Sequence, residues 1–436
     1  MKTIITSSLI ATGLLLGSSF VGIVPSVDFA NAHAEQKRKR TPSLNSRVYS
    51  QLARAQQLAD DGDVKGGLEV LDSVKAKSGS LNSYETAMMY NFYGFIYYNA
   101  ERMAEAMSAF EQVIAQDPIP ESLEKSTLFS LAQLAMASEK YTKTISFLER
   151  WESINEGEIP VKNNVLKAQA SYQGKHYQEA AQYIDLALAE AKEQEVEPKE
   201  NWFVLQRAAY FELKQPEKVA AILEEMVRRF NKPEYWVQLA GMYGEIGAED
   251  KQLAVLEAAY QQGYISKQSD FRNLAQIYYF NGLPYKAALV MQQGIDQNVL
   301  IKNVKNVKFL SQAWLTAKEY DKAVETLEVL SALEDTGIAH QQIAEIRLQQ
   351  GKYREVISAA FEAEQRGQLS NPGNLYLALG MAHFNLKEFE AAIDALNMAA
   401  EYKNVQKMAT QWLKFVEKEK STSEQLASNH NPRTNS

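Results

Sequence analysis

The chain has 436 residues, which is too long for one ordinary domain. Of these residues 46% are hydrophobic and 23% charged, with only 21 Gly and 11 Pro, so the composition is too apolar for a disordered chain. The lack of cysteine excludes disulfides, iron–sulfur clusters, cysteine zinc sites and a lipid anchor on cysteine. A formal charge of -8 argues against a nucleic-acid partner, which requires clustered Lys and Arg.

Residues 1–34 have the features of an export signal. Lys2 precedes an apolar stretch from Ile4 to Val24, and Ala32-His33-Ala34 offers a cleavage site. We therefore expect a cleaved signal peptide, a mobile basic arm at 35–46 and periplasmic residence in a Gram-negative cell. An uncleaved anchor is the alternative, because the apolar stretch is long and a basic cluster follows at 37–40. No later segment has the ~20 unbroken apolar residues of a spanning helix, so we expect no stable membrane insertion after cleavage.

A spaced aromatic and small-residue pattern recurs along the chain. It begins with Tyr90-x-x-Tyr93-Gly94-x-x-Tyr97 and returns in the segments that start at Trp236, Phe271 and Tyr376. The pattern is similar to the tetratricopeptide (TPR) repeat, a helical hairpin with a period of about 34 residues. One position of the second helix recurs every 33 to 39 residues and is small in most repeats, which supports the assignment. Its residues are Gly67, Ala106, Thr144, Ala180, Val219, Gln252, Ala287, Ala323, Val356 and Ala392.

The repeats predict an all-α fold. Residues 47–403 should form a right-handed superhelical solenoid of about ten TPR-like helix pairs, because one hairpin cannot bury its own apolar face. Residues 404–419 carry apolar residues among charged ones, so we expect a C-terminal capping helix there. The segment 420–436 is rich in Ser, Thr and Asn, which predicts a disordered tail.

Catalytic motifs are weak. No two histidines have the i, i+4 spacing of a helical zinc site, and no phosphate-binding glycine loop is present. Ser122 and Lys125 match the S-x-x-K of penicillin-recognising enzymes, but the accompanying K-T-G and S-D-N elements are missing. Ser122 is better interpreted as an N-cap or first-turn residue. We therefore expect no enzyme activity, no cofactor and no metal.

A stacked array presents a concave face lined by the first helix of each pair. The residue after each small first-helix position should point into this groove; these are Gln56, Phe95, Gln133, Gln169, Ala208, Gly241, Gln276, Gln312, Glu345 and Met381. One turn further come Tyr98, Met136, Tyr172, Phe211, Tyr279 and Phe384, and one turn earlier Asn91, Arg272 and Lys308.

Amides beside aromatics suit an extended, uncharged peptide, because Gln both donates and accepts hydrogen bonds and Tyr combines apolar area with a polar tip. The alternative is that Gln is present as a good helix former and the aromatics pack neighbouring repeats. Recognition of a free C-terminal carboxylate is not expected, because the Lys and Asn positions of carboxylate-clamp domains are mostly Gln and aromatic here.

Several segments resemble a narrower family. They begin at Thr41, Arg47, Asn82, Ile159, Val204, Tyr235 and Asn371, and together the resemblance spans about 41–403. They are similar to exported gammaproteobacterial TPR proteins assigned to a TonB energy-transduction system. The resemblance implies a periplasmic adaptor beside TonB and its ExbB/ExbD motor, holding TonB, ExbD or an associated motor protein during uptake of iron complexes. It carries no catalytic residues.

Two other functions are consistent with the same sequence. A periplasmic scaffold for outer-membrane protein or cell-wall enzyme assembly would use the same groove. Self-association into a structural element is another alternative, since the sequence leaves the oligomeric state open.

Overall fold

A computed structural model describes residues 42–429, and their side chains as far as 426. This range contains twenty-one α-helices and one short 3-10 helix, Ser78–Ser80, and no β-strand. The prediction of an all-α fold is confirmed. Contacts divide the chain between Gln215 and Pro216 into two compact units, unit 1 and unit 2. The predicted signal peptide and most of the basic arm lie outside the described residues.

The helices of unit 1 are Ser46–Asp60 (α1), Val64–Lys75 (α2), Ser83–Asn99 (α3), Met103–Ile114 (α4), Glu121–Ala137 (α5), Tyr141–Ser153 (α6), Val161–Gln173 (α7), Tyr177–Glu193 (α8) and Glu200–Glu212 (α9). Those of unit 2 are Pro216–Phe230 (α10), Pro233–Glu245 (α11), Glu249–Gln261 (α12), Gln268–Phe280 (α13), Pro284–Asp296 (α14), Val304–Thr316 (α15), Tyr320–Leu333 (α16), Ile338–Gln349 (α17), Tyr353–Arg366 (α18), Pro372–Asn385 (α19), Phe389–Ala400 (α20) and Gln406–Asn429 (α21).

Consecutive helices pack as hairpins. Unit 1 contains the pairs α1–α2 to α7–α8, and unit 2 contains α11–α12 to α19–α20. Each hairpin turns through one residue with positive φ, a conformation that glycine adopts at no steric cost. Glycine occupies it at Gly62, Gly247, Gly282 and Gly351. In the other hairpins the residue with positive φ is a Glu or a Lys; these are Glu101, Glu139, Lys175, Lys318 and Lys387.

The small motif residues make the close helix contacts. A Cβ built on Gly94 would lie 2.5 Å from the Phe110 ring, and one on Gly380 would lie 2.6 Å from Leu396. Each partner belongs to the second helix of the same pair. Of the ten small second-helix positions, nine are buried, and the exception is Gln252, which is half-buried. The spacing of small residues thus correctly predicts where paired helices touch.

Tyrosines of first helices bridge to the preceding second helix. Tyr93 Oη donates to Asp72 at 2.5 Å, and Tyr243 Oη donates to Glu224 at 2.5 Å. Equivalent contacts join Tyr210 to Asp185, Tyr278 to Glu257 and Tyr376 to Glu364. We refer to these as the tyrosine–carboxylate contacts. They link successive hairpins within a unit, which the motif alone does not predict.

Both units contain more than one cluster of buried apolar residues. In unit 2, one cluster runs from Ala240 to Ala382, across α11 to α19, and another joins α19 to α20 and α21. In unit 1, one cluster spans α1 to α4, a second spans α3 to α6, and a third spans α7 to α9. The second and third clusters share no helix, and the boundary between them lies at the α6–α7 junction.

The C-terminal helix is longer than predicted. α21 continues to Asn429, so the expectation of disorder from 420 onward is wrong for 420–429. No Gly or Pro interrupts the chain between Lys420 and Asn431, and Lys420 Nζ pairs with Glu390 Oε1 of α20 at 3.0 Å. Within the predicted cap, Val416 is fully buried against the last pair while Met408 and Phe415 remain about half exposed.

The distal part of α21 should contribute little to stability. Deleting 421–436 should change the free energy of unfolding by less than ~0.5 kcal/mol, because the side chains of 421–426 are all exposed. Urea unfolding followed by circular dichroism measures this. The control is a deletion of 411–436, which also removes Trp412 and Val416 from the apolar cluster of the last helices. It should lower the free energy of unfolding several times more than the shorter deletion. A large loss on deleting 421–436 would contradict the exposure of the distal part of α21.

Candidate functional site

First helices of unit 2 bring the predicted binding residues together on one surface. On α13, Arg272, Gln276 and Tyr279 recur at helical spacing, and on α15 Lys308 and Gln312 do the same. Tyr279 lies 5.6 Å from Phe309 between ring centroids, and its hydroxyl is 3.1 Å from Thr316 Oγ1. The two helices therefore share a continuous face. We define the α13–α15 face as Arg272, Gln276, Tyr279, Phe280, Lys305, Lys308, Phe309 and Gln312.

Phe280 is the most exposed aromatic side chain of this face. Its exposed fraction is 81%, and its ring stands almost perpendicular to that of Tyr279 at 5.9 Å. Tyr279 and Phe309 are half-buried, so they form a fixed apolar base beside a projecting ring. Phe280 was not among the predicted residues. It follows Gln276 by four residues, a signal from which it could have been found.

The polar groups around these rings are open to solvent. Gln276 and Gln312 are exposed, and Gln312 donates only to its own helix, at Thr316. Lys305 and Lys308 are exposed on α15, which carries no carboxylate, and Arg272 is half-buried on α13. In the part of the chain that the structure describes, these three cations have no ion-pair partner. The face thus offers apolar area, amides and unpaired positive charge.

The predicted residues of unit 1 have mixed surroundings. Phe95 packs edge-on against Phe110 of its own hairpin at 5.3 Å, and Tyr172 lies 5.5 Å from Tyr177 of α8. These contacts correspond to the packing interpretation. Tyr98 and Phe211 are instead exposed, at 37% and 36%, while Gln133 and Gln169 are half-buried.

Asn91 does not line an open groove. It is buried, with 9% of its surface exposed, so little of its side chain is open to a ligand. α3 contacts α1 and α2 as well as α4, so more of its circumference is covered than in a helix with one neighbouring pair.

The Ser122–Lys125 motif has no catalytic arrangement. Ser122 is exposed in the first turn of α5, as predicted, with Pro120 at the N-cap. Lys125 Nζ pairs with Glu121 Oε1 at 2.5 Å and lies over the Trp151 ring. The ammonium is thus held by a carboxylate and is not positioned to accept a proton from Ser122.

Between residues 42 and 429, no three His, Cys, Asp or Glu side chains are grouped so that they could hold a metal ion. Among the described helices, none combines the length and apolar character needed to cross a membrane. His383 Nδ1 instead contacts Glu388 Oε2 at 2.6 Å in a hairpin turn. Burial lowers the pKa of His340.

Comparison with known proteins identifies the repeat. The model of the tetratricopeptide repeat matches residues 87–120 and 373–405, which correspond to most of α3–α4 and α19–α20. No curated protein sequence matches the chain significantly.

Solved structures with similar helical repeats include the C-terminal part of a TPR protein from Cytophaga hutchinsonii, at 14% identity and a TM-score of 0.34, covering 65% of this chain and 99% of that one. A TPR protein from Parabacteroides merdae shows 13% identity and a TM-score of 0.30, covering 59% and 98%. YrrB, described as a TPR protein with an unusual peptide-binding site, shows 12% identity and a TM-score of 0.33, covering 44% and 97%. These scores are low, so the fold rests on the repeat match and on the hairpin packing. The chain is an all-helical protein that carries tetratricopeptide repeats.

Proposed function

We propose that this protein is a non-catalytic adaptor that holds an extended segment of another protein on the α13–α15 face. The observation that supports it most directly is Phe280, an aromatic ring 81% exposed beside the half-buried rings of Tyr279 and Phe309. Exposed aromatic clusters of this kind commonly mark protein-interaction sites. Proteins with TPR domains generally act as scaffolds for protein–protein interaction.

The chemistry of the face defines the segment it would hold. Apolar side chains would pack on the three rings, and the backbone would exchange hydrogen bonds with Gln276 and Gln312. Arg272, Lys305 and Lys308 surround the rings without carboxylate partners on α15, which favours a segment that carries acidic residues. This revises the uncharged peptide expected from the sequence.

For the cellular role, we propose periplasmic assistance to a TonB–ExbB–ExbD-type system in the uptake of iron complexes. The support is the export signal predicted from the sequence and the family resemblance of residues 41–403. TonB-type linkers are extended and Pro-rich, and aromatic surfaces are common docks for such segments. The second candidate is a periplasmic scaffold for outer-membrane protein or cell-wall enzyme assembly, for which the same face would serve.

Photo-crosslinking in living cells tests both the surface and the partner. A photoreactive residue would replace Phe280, and the matched control would replace Phe361, which is 56% exposed on α18, a second helix. We expect capture of TonB, ExbD or an associated motor protein from position 280 and not from 361. Recovery of barrel-assembly or murein proteins would reject the transport role in favour of the scaffold. Equal capture from both positions would reject the α13–α15 face.

Charge reversal should weaken binding. With the captured partner in purified form, the pair Lys305→Glu and Lys308→Glu should raise the Kd roughly 5-fold or more, since each exposed pair contributes about 0.2–1 kcal/mol and reversal also adds repulsion. The effect should diminish at high salt. The control pair is Lys414→Glu and Lys418→Glu, two exposed lysines one turn apart on α21. An unchanged Kd for the α15 pair would contradict an acidic segment.

A further inference from the structure

Helix α7 carries an unusual set of buried polar side chains. Asn163 and Ser171 are fully buried, Asn164 is 1% exposed, and Lys167 is 5% exposed. With helical spacing these residues form one polar side of α7, which lies between α6 and α8. Together with Glu152 of α6 we refer to them as the α7 polar layer.

Two contacts anchor the layer to its neighbours. Lys167 Nζ pairs with Glu152 Oε2 at 2.9 Å across the α6–α7 junction and lies 4.8 Å from the Tyr183 ring centroid. Asn164 Nδ2 donates to both carboxylate oxygens of Glu190, on α8, at 2.9 Å. The first contact joins different hairpins, and the second stays within the α7–α8 pair.

Other atoms of the layer have no protein partner. Both amide atoms of Asn163, Oδ1 of Asn164, Oγ of Ser171 and Oε1 of Glu152 are buried and make no hydrogen bond to any described residue. Buried polar atoms are almost always satisfied in folded proteins, and internal water is the usual partner where protein is not. The α6–α7 junction therefore has the chemistry of a hydrated interface.

At the same junction, two clusters of the unit 1 core meet without sharing a helix. Buried apolar residues of α3–α6 form one cluster and those of α7–α9 another, and only the half-buried Leu166 of α7 packs on the first. Separating an apolar junction exposes hydrocarbon to water, whereas separating this one hydrates groups that already lack protein partners. Opening here costs less than at a junction such as α4–α5, where Phe110, Leu128 and Leu131 share one cluster.

We propose that the α7 polar layer is a hydrated joint, at which α7–α9 move relative to α3–α6. The connection 154–160 between α6 and α7 contains the exposed Gly157, so no helix runs continuously across the joint. Opening the joint removes the packing that protects α7, so its backbone hydrogen bonds open more often. Gln133 on α5 and Gln169 on α7 lie on opposite sides of the joint. Its movement would change the spacing of first helices in unit 1, here that of α5 and α7.

Hydrogen exchange of the full chain, followed by mass spectrometry, tests the joint. Amides of α7 and of the last turn of α6 should exchange at least about tenfold faster than those of α5, a first helix of similar burial in the same unit. Equal protection of α5 and α7 would overturn the proposal.

Variants that remove the unsatisfied groups should close the joint. Asn163→Leu replaces the unpartnered amide with an apolar side chain of similar size, and Ser171→Ala removes the hydroxyl without adding volume. Each should slow exchange in α7 by about tenfold, because the junction no longer contains a group that favours water. Asn201→Leu, at an exposed position of α9, is the matched control and should leave the exchange rate of the α7 amides unchanged. Faster exchange in α7 of Ser171→Ala, the variant with no added bulk, would overturn the proposal even if Asn163→Leu failed to fold.

Discussion

Substituting Gly337 by alanine should destabilise unit 2 by about 3 kcal/mol, the upper end of the usual cost of overpacking. A Cβ on Gly337 would lie 2.1 Å from the carbonyl oxygen of Ala363, and 2.7 Å from Leu369 Cδ2. The first of these is a backbone atom in α18, so it can move only if the helix moves. The Gly337 amide also donates to the Gly367 carbonyl at 2.7 Å, which fixes the distance between the two segments. Urea unfolding followed by circular dichroism measures the change.

Gly241→Ala is the matched control for this substitution. Gly241 lies inside α11, and a Cβ there would meet no atom within 4 Å. Alanine should therefore stabilise unit 2 by about 0.5–1 kcal/mol, because it reduces the entropy of the unfolded chain and favours the helix. A Gly337→Ala variant as stable as the native chain would contradict the close approach of α17 to α18.

Raising the pH above 10 should unfold the chain as the tyrosines of the tyrosine–carboxylate contacts ionise. Burial, the nearby carboxylate and the hydrogen bond to it raise the pKa of Tyr243, Tyr278 and Tyr376 to about 12, and shift those of Tyr93 and Tyr210 further upward. A raised pKa means that the folded state holds the proton more tightly. The contribution to stability is thus complete below pH 10, the ordinary pKa, and is lost as the pH rises through about 12. Exposed tyrosines ionise near their ordinary pKa of about 10 without unfolding the chain. The later part of the tyrosinate absorbance, from the five contacts, should rise together with the loss of helical circular dichroism.

Tyr243→Phe isolates one of these contacts. It leaves the ring in place but removes the donor to Glu224, which should cost about 1–2 kcal/mol at neutral pH and flatten the alkaline loss of stability. Tyr49→Phe is the control, because the Tyr49 side chain is 44% exposed. It should change neither the free energy of unfolding at neutral pH nor its loss at alkaline pH. Titration of all tyrosines near pH 10 with unchanged helical content would contradict the bridging role of the five contacts.

The repeat pattern predicted the hairpins well because it records a steric requirement. Gly94 and Gly380 face Phe110 and Leu396 across the hairpin, so the residue that must be small and the residue that fills the space recur at fixed spacing. Glycine marks the turns at Gly62, Gly247, Gly282 and Gly351, because it adopts positive φ at no steric cost. The turns at Glu101 and Lys318 carry no such mark, because these residues adopt that conformation only when the packed hairpin requires it.

The candidate site was predicted in part. The sequence placed Arg272, Gln276, Tyr279 and Gln312 on the groove-facing side of first helices, and the structure unites them on the α13–α15 face. It did not distinguish Tyr279, which bridges two repeats, from Phe95, which packs inside its own hairpin. Both occupy the first-helix face, and only the neighbouring side chains decide how far each is exposed.

By itself, the sequence determined that the chain is helical, where its hairpins turn and which residues let paired helices approach, because these follow from local spacing and residue size. Tertiary structure alone decided which polar groups are buried. Asn163 and Ser171 are polar residues at ordinary helical spacing, yet the helices packed on both sides of α7 leave them without partners. Likewise, the tyrosine–carboxylate contacts join residues from successive hairpins, 19 residues apart for Tyr243 and Glu224 and 25 for Tyr210 and Asp185. Burial and pairing depend on the neighbouring repeats, because each hairpin completes its core only against the next one.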